Sequence, residues 1–118
     1  MHETAIAQSL IDLMVREAGA AGGGRIVAAR LVLGDLSGVD EETLRFAFDV
    51  CTRGTIAEGC RLDVERVPVR LRCRACGATG AGDPFLPCAA CGAAGYEMLS
   101  GRELRLASLD LEDGDDAG

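Results

Sequence analysis

The chain has 118 residues, the size of one domain, and its 48% hydrophobic and 26% charged content excludes a wholly disordered chain. Twelve basic residues against nineteen acidic ones leave a net charge of −7, which argues against nucleic acid held by bulk charge. Every basic residue is Arg, so lysine nucleophiles and the phosphate-loop lysine are absent, and no apolar run is long enough to span a membrane.

The first element is an amphipathic helix over about residues 4–18, with Ile6, Leu10 and Met14 at four-residue spacing and glycines after it. The GAAGGG stretch at 19–24 lacks the Lys-Ser/Thr of a phosphate cradle and reads as a connection. Residues 25–33, RIVAARLVL, read as a strand with Val27, Ala29, Leu31 and Leu33 on one face. A second helix follows, capped by Asp40 with Glu41 and Glu42 in its first turn. Leu44, Ala47, Phe48 and Cys51 form its buried stripe, and Gly54 ends it.

In RLDVERVPVRL, Leu62 and Val64 alternate, but Val67, Val69 and Leu71 continue in the opposite phase. The slip at Arg66, beside Pro68, marks a bulge or a strand leaving one sheet for another module. ELRLASLDL has a similar slip near Ala107, so the chain leaves a core near Pro68 and returns near Leu104. The expected class is α+β: a small two-helix, three-stranded-sheet domain over 1–69 and 102–112, carrying an inserted, zinc-ribbon-like four-cysteine module over 70–101. An acidic, disordered tail is expected over 113–118.

The inserted stretch Cys73–Gly95 has only Phe85 and Leu86 as large apolar side chains, too few to fold without a staple. The staple is Cys73-x-x-Cys76 and Cys88-x-x-Cys91, with eleven residues between the pairs. Gly77 and Gly92 directly follow each pair, where positive φ would aim backbone N–H groups at the sulfurs. Four thiolates suit tetrahedral Zn²⁺ in a closed structural site. Tetrathiolate iron and two disulfides are the other readings. Arg70, Arg72 and Arg74 are near enough in sequence to offset the thiolate charge. Cys51 and Cys60 lack ligand spacing, and Cys51 reads as a buried, inert thiol.

The N-terminal stretch carries no Arg or Lys before Arg16, and Asp12 interrupts its apolar run. This is unlike a signal peptide, so a cytoplasmic protein with reduced thiols is expected. The lone histidine, His2, leaves no Ser-His-Asp or Cys-His catalytic pair, and no enzyme is expected. His2 does complete a chelate: the Met1 amine, the His2 amide nitrogen and the His2 imidazole give planar nitrogen donors of the kind Ni(II) and Cu(II) prefer. The Glu3 amide or carboxylate could close the square.

Met-His-Glu at the start, LGDLSGVDEETLRFAFDVCTRGT, EGCRLDV, the CRACG and CAACG pairs and SGRELRLASLDLE resemble, in order and over nearly the whole chain, the HypA/HybF family of nickel metallochaperones for [NiFe]-hydrogenase maturation. The resemblance implies a nickel site at His2, supported by Glu3, and a structural zinc on Cys73, Cys76, Cys88 and Cys91. It also implies a GTPase partner and delivery to the hydrogenase large subunit, in keeping with the absence of a nucleotide-binding motif. Oligomeric state is left open, a homodimer included. Some relatives carry a histidine in the zinc module; this chain has none there. Two other functions fit the residues alone: a zinc-ribbon adaptor for protein or nucleic acid, and a rubredoxin-like iron electron carrier.

Overall fold

The computed structural model describes residues 2–112. Met1 and the expected acidic tail at 113–118 lie outside the described residues.

Helix α1, Glu3–Ala20, buries Ala7, Leu10, Ile11, Met14 and Ala18, the heptad-like face of its sequence. Strand β1, Ile26–Gly34, follows the glycine connection. Helix α2, Glu41–Cys51, starts where the Asp40 carboxylate accepts the Thr43 N–H at 3.0 Å, and it buries Leu44, Ala47 and Phe48. Cys51 is half-buried against this core, and Gly54 takes φ +78° just past the helix end.

Strand β2, Arg61–Val67, pairs parallel to β1, and β6, Leu104–Leu111, pairs antiparallel on its other side. The first sheet therefore runs β2-β1-β6, with β1 in the middle. Between β2 and β6 the chain builds a second antiparallel sheet, ordered β4-β3-β5, from β3 (Arg70–Cys73), β4 (Thr79–Ala81) and β5 (Tyr96–Ser100). The phase slip at Arg66–Pro68 is the passage from one sheet to the other, since proline cannot donate to either ladder. The fold is α+β with a zinc-ribbon-like second sheet.

One expectation needs correction. Val27 does not share the buried face with Ala29, Leu31 and Leu33; it is 45% exposed, and Ile26 is buried in its place. The register explains this: Ile26 pairs with Leu111 and Ala28 with Asp110, so Val27 is the extra residue of a bulge, and bulges reverse side-chain phase. The slip near Ala107 is a second bulge, because Arg30 opposes Ser108 while Leu31 opposes Leu106.

The two sheets are joined where the end of β1 crosses the returning chain. The Gly34 N–H donates to the Glu103 carbonyl (2.8 Å) and the Leu36 N–H to the Gly101 carbonyl (2.7 Å). A Cβ on Gly34 would lie 2.2 Å from the Gly101 carbonyl carbon and oxygen, so the backbones touch where only glycine fits. Gly34→Ala must push this crossing apart, and a loss of about 2 kcal/mol or more in chemical denaturation is expected. Gly54→Ala, which meets nothing within 4 Å, should cost only the smaller strain of its positive φ.

Candidate metal centres

Two knuckles with the same hydrogen bonds shape the cysteine module. In the first, the Gly77 N–H donates to the Cys73 carbonyl (2.9 Å) and the Cys73 N–H to the Ala78 carbonyl (2.9 Å). In the second, the Gly92 N–H donates to the Cys88 carbonyl (2.7 Å) and the Cys88 N–H to the Ala93 carbonyl (2.9 Å). Gly77 and Gly92 take φ +77° and +76°, the left-handed turn that the CxxCG pattern requires. Strand β3 delivers Cys73 to the first knuckle; the second lies in the connection between β4 and β5, and β5 returns to pair with β3, with Tyr96 opposite Cys73.

All four sulfurs lie within 4.8 Å of one another. Cys73 and Cys91 Sγ are 3.6 Å apart, and Cys76 and Cys88 Sγ are 3.8 Å apart. Sulfurs placed tetrahedrally about an ion at ~2.3 Å stand about 3.8 Å from each other, so the donor set fits one tetrahedral thiophilic cation. All six cysteines are free thiols, and sulfurs this far apart are not disulfides. The leading cysteine of each knuckle is buried and the trailing one exposed.

The backbone, rather than arginine, favours the thiolates. The N–H groups of Cys76 and Ala75 hold Cys73 at about 6, and those of Cys91 and Ala90 hold Cys88 below its ordinary value. Cys91 accepts the Ala93 N–H, which favours ionisation, but the adjacent Cys73 and burial outweigh it and push Cys91 up to about 12. One divalent cation among them reverses that penalty and favours four thiolates together. Two of the three arginines expected to offset this charge are engaged elsewhere. Arg72 pairs with Glu97 at 3.2 Å, and Arg74 Nε donates to the Tyr96 carbonyl at 3.2 Å. Glu97 and Tyr96 sit opposite Arg72 and Cys73 across β3 and β5, so cross-strand register directs these arginines. Tyr96 is the residue that the sequence left unplaced. Burial first, and then the nearby sulfurs, raise its hydroxyl above its ordinary value.

At the other end of the chain, His2 is the N-cap of α1, exposed, with its carbonyl accepting the Ile6 N–H at 3.1 Å. An N-cap residue lies outside the helical hydrogen-bond ladder at its own N–H, so the His2 amide nitrogen is not committed to α1. Glu3 Oε2 accepts the Asp40 N–H at 3.1 Å, tying the start of α1 to the start of α2. Nothing in the sequence signals that link across 37 residues. Among the described residues, the four cysteines are the one group of three or more His, Cys, Asp or Glu side chains close enough to share an ion. His2 is therefore not gathered into a cluster of metal-ligating side chains.

The family model described as hydrogenase/urease nickel incorporation, metallochaperone, HypA matches residues 1–111. The chain belongs to the HypA family. Hydrogenase maturation factor HypA of Geobacter metallireducens is 45% identical over 95% of this chain and all of its own length. The HypA protein of Chlorobaculum tepidum is 43% identical over the same shares. Among solved structures, a solution structure of a HypA protein aligns with TM-score 0.70 and 26% identity, covering 95% of this chain and 97% of its own. The Ni metallochaperone HypA from Helicobacter pylori has the same fold, with TM-score 0.68 over 94% of this chain and 97% of its own.

The Glu3–Asp40 link in this HypA-family chain has a pH signature. The Asp40 N–H, and then the helix's own amide at Glu3, hold the Glu3 carboxyl below its ordinary value. A lowered folded-state pKa gives stability that is complete above the unfolded value and fades as pH falls through the folded one. Glu3→Ala should speed hydrogen exchange at the Asp40 amide and weaken the acid dependence of stability. Glu3→Gln should keep the amide protected while losing the same acid dependence.

Proposed function

We propose that this chain is a nickel metallochaperone of hydrogenase maturation, holding Ni(II) at its N-terminus and passing it to the hydrogenase large subunit. The observation that carries this reading is the family match over residues 1–111, which spans the Met-His-Glu start and both cysteine pairs. Exposure of His2 at the mouth of α1 supports it, because an incoming protein's donors can reach an ion held there. The donors are the Met1 amine, the His2 amide nitrogen and the His2 imidazole, with the Glu3 amide or carboxylate closing the square. Glu3 also positions this start against α2 through the Asp40 amide.

The charges near this site favour release over capture. The positive end of the α1 dipole points at the terminus, which opposes a cation, while Glu3 in the first turn offsets it. Binding through an amide nitrogen displaces its proton, as does binding through a protonated amine or imidazole, so mild acid favours release. These features suit cargo held for exchange. The chain acts as a carrier and not a catalyst, with GTP hydrolysis supplied by a partner GTPase in the cytoplasm.

The four cysteines hold a structural Zn²⁺, Cys73 and Cys88 from the buried side and Cys76 and Cys91 from the exposed side. When bound, the ion supplies the cross-link that the module's sparse apolar content cannot. Phe85 and Leu86, the only large apolar residues between the first and last cysteine, are 89% and 60% exposed and lend the interior nothing. Zinc thiolates leave the protein colourless, whereas a tetrathiolate iron centre would redden it.

Metal analysis should find one zinc per chain. Cys76→Ser should lose it and open residues 74–95 to protease; retained zinc with an unchanged cleavage pattern would contradict the structural role. At the N-terminus, position matters as much as residue type. His2→Ala and a Gly-Ser extension ahead of Met1 should each abolish the visible d–d band of planar Ni(II). An extended chain that bound nickel with the original spectrum and affinity would remove the terminal amine from the ligand set.

A further inference from the structure

The sulfurs of the cysteine module meet across the knuckles. Cys91 Sγ lies 3.6 Å from Cys73 Sγ, and Cys76 Sγ lies 3.8 Å from Cys88 Sγ. Each contact joins the exposed trailing cysteine of one knuckle to the buried leading cysteine of the other. Cys73 is 1% exposed and Cys88 7%, so an oxidant arriving from solvent reaches Cys76 and Cys91 first. Behind each of them a buried sulfur stands at contact distance. Susceptibility to oxidation follows exposure, and reversibility follows from a second thiol close enough to resolve the first product.

Chain connectivity gives crossed bonds a consequence that bonds within a knuckle would not have. Cys73 and Cys91 are 18 residues apart and Cys76 and Cys88 are 12 apart. Bonds between them are nested, and both tie the second knuckle to the first, as an ion held by all four sulfurs does. Bonds within each CxxC would close only three-residue steps and leave the knuckles unlinked. Closing 3.6 and 3.8 Å to a disulfide length of about 2.05 Å moves each sulfur by less than about 1 Å.

We infer, resting on the structural Zn²⁺ proposed above, that the module is a peroxide-responsive thiol switch. Hydrogen peroxide converts the four cysteines to the crossed disulfides Cys73–Cys91 and Cys76–Cys88, and the module gives up its ion without unfolding. In each pair the exposed thiolate attacks one peroxide oxygen; an S–O bond forms, the O–O bond breaks and hydroxide leaves. The buried thiolate of the opposite knuckle then attacks the sulfenic sulfur; the S–S bond forms, the S–O bond breaks and a second hydroxide leaves. Two protons from solvent turn the hydroxides into water, and two electrons have passed from the pair of sulfurs to the peroxide. A second peroxide oxidises the second pair, after which the module offers no thiolate to a divalent cation. The nearby buried sulfur intercepts the sulfenic acid before further oxidant carries it to sulfinic acid, so a dithiol can restore all four ligands.

The test treats the metal-loaded full chain with hydrogen peroxide in the presence of a chromophoric zinc chelator. The chelator should report loss of the one zinc per chain. Disulfide mapping of the denatured, thiol-blocked chain should find Cys73 joined to Cys91 and Cys76 to Cys88. Residues 74–95 should stay resistant to protease after oxidation, unlike those of the unoxidised Cys76→Ser chain. Dithiothreitol with added zinc should return the original metal content. Zinc retained over four unmodified thiols would overturn the switch. So would bonds within each CxxC, cysteines carried to sulfinic acid, or a module that opens to protease as it is oxidised. Metal content measured before oxidation tests the zinc reading separately, and the disulfide map tests the switch whatever ion is found there.

Discussion

The central strand of the first sheet needs two neighbours that the chain supplies from either side of an excursion. Strand β2 reaches β1 before the chain departs at Pro68, and β6 reaches it only after the cysteine module is built. Completing the sheet therefore requires the departing and returning segments to be pinned beside the end of β1. Gly34 and Gly101 do this by backbone contact, with the Gly34 and Leu36 amides donating across the junction. Closing so long a loop costs entropy, and a compact insertion reduces that cost by holding its own ends together in the β3–β5 pairing.

The insertion itself is held by chemistry rather than by burial. Leu71, Cys73 and Cys88 are its buried apolar residues, while Phe85 and Leu86 point to solvent. Four sulfurs converge from two knuckles with the same hydrogen bonds, each turned by a positive-φ glycine, one at the β3–β4 turn and one in the β4–β5 connection. Backbone amides favour the thiolates at Cys73 and Cys88, leaving Arg72 and Arg74 to bond across the β3–β5 pair. A cation held there is fully enclosed in ligands, which suits a permanent cross-link and leaves no position for exchange.

The N-terminal site proposed for nickel follows the opposite logic. His2 stands at the exposed mouth of α1 with no cluster of metal-ligating side chains around it among the described residues, and the donors proposed for nickel are consecutive atoms of the chain itself. What the fold contributes is orientation, through the Glu3 carboxylate on the Asp40 amide at the start of the neighbouring helix. In the proposed function, one closed site and one open site in a small chain separate the ion that maintains the structure from the ion that is to be given away.

Local pattern in the sequence determined both helices, the Asp40 cap, the cysteine knuckles and the points of departure and return, because each depends on neighbours within a few residues. The residue pattern also carried the family resemblance, and the match over residues 1–111 bears that out. Tertiary structure alone decided what depends on partners far along the chain. It made Val27 a bulge residue and gave its inward place to Ile26, since pairing with β6 fixes the register of β1. It turned Arg72 toward Glu97, and it committed the Glu3 carboxylate to an amide 37 residues away. It also placed the second slip as a bulge at Ala107 of β6, because side-chain phase is set by register and not by residue order.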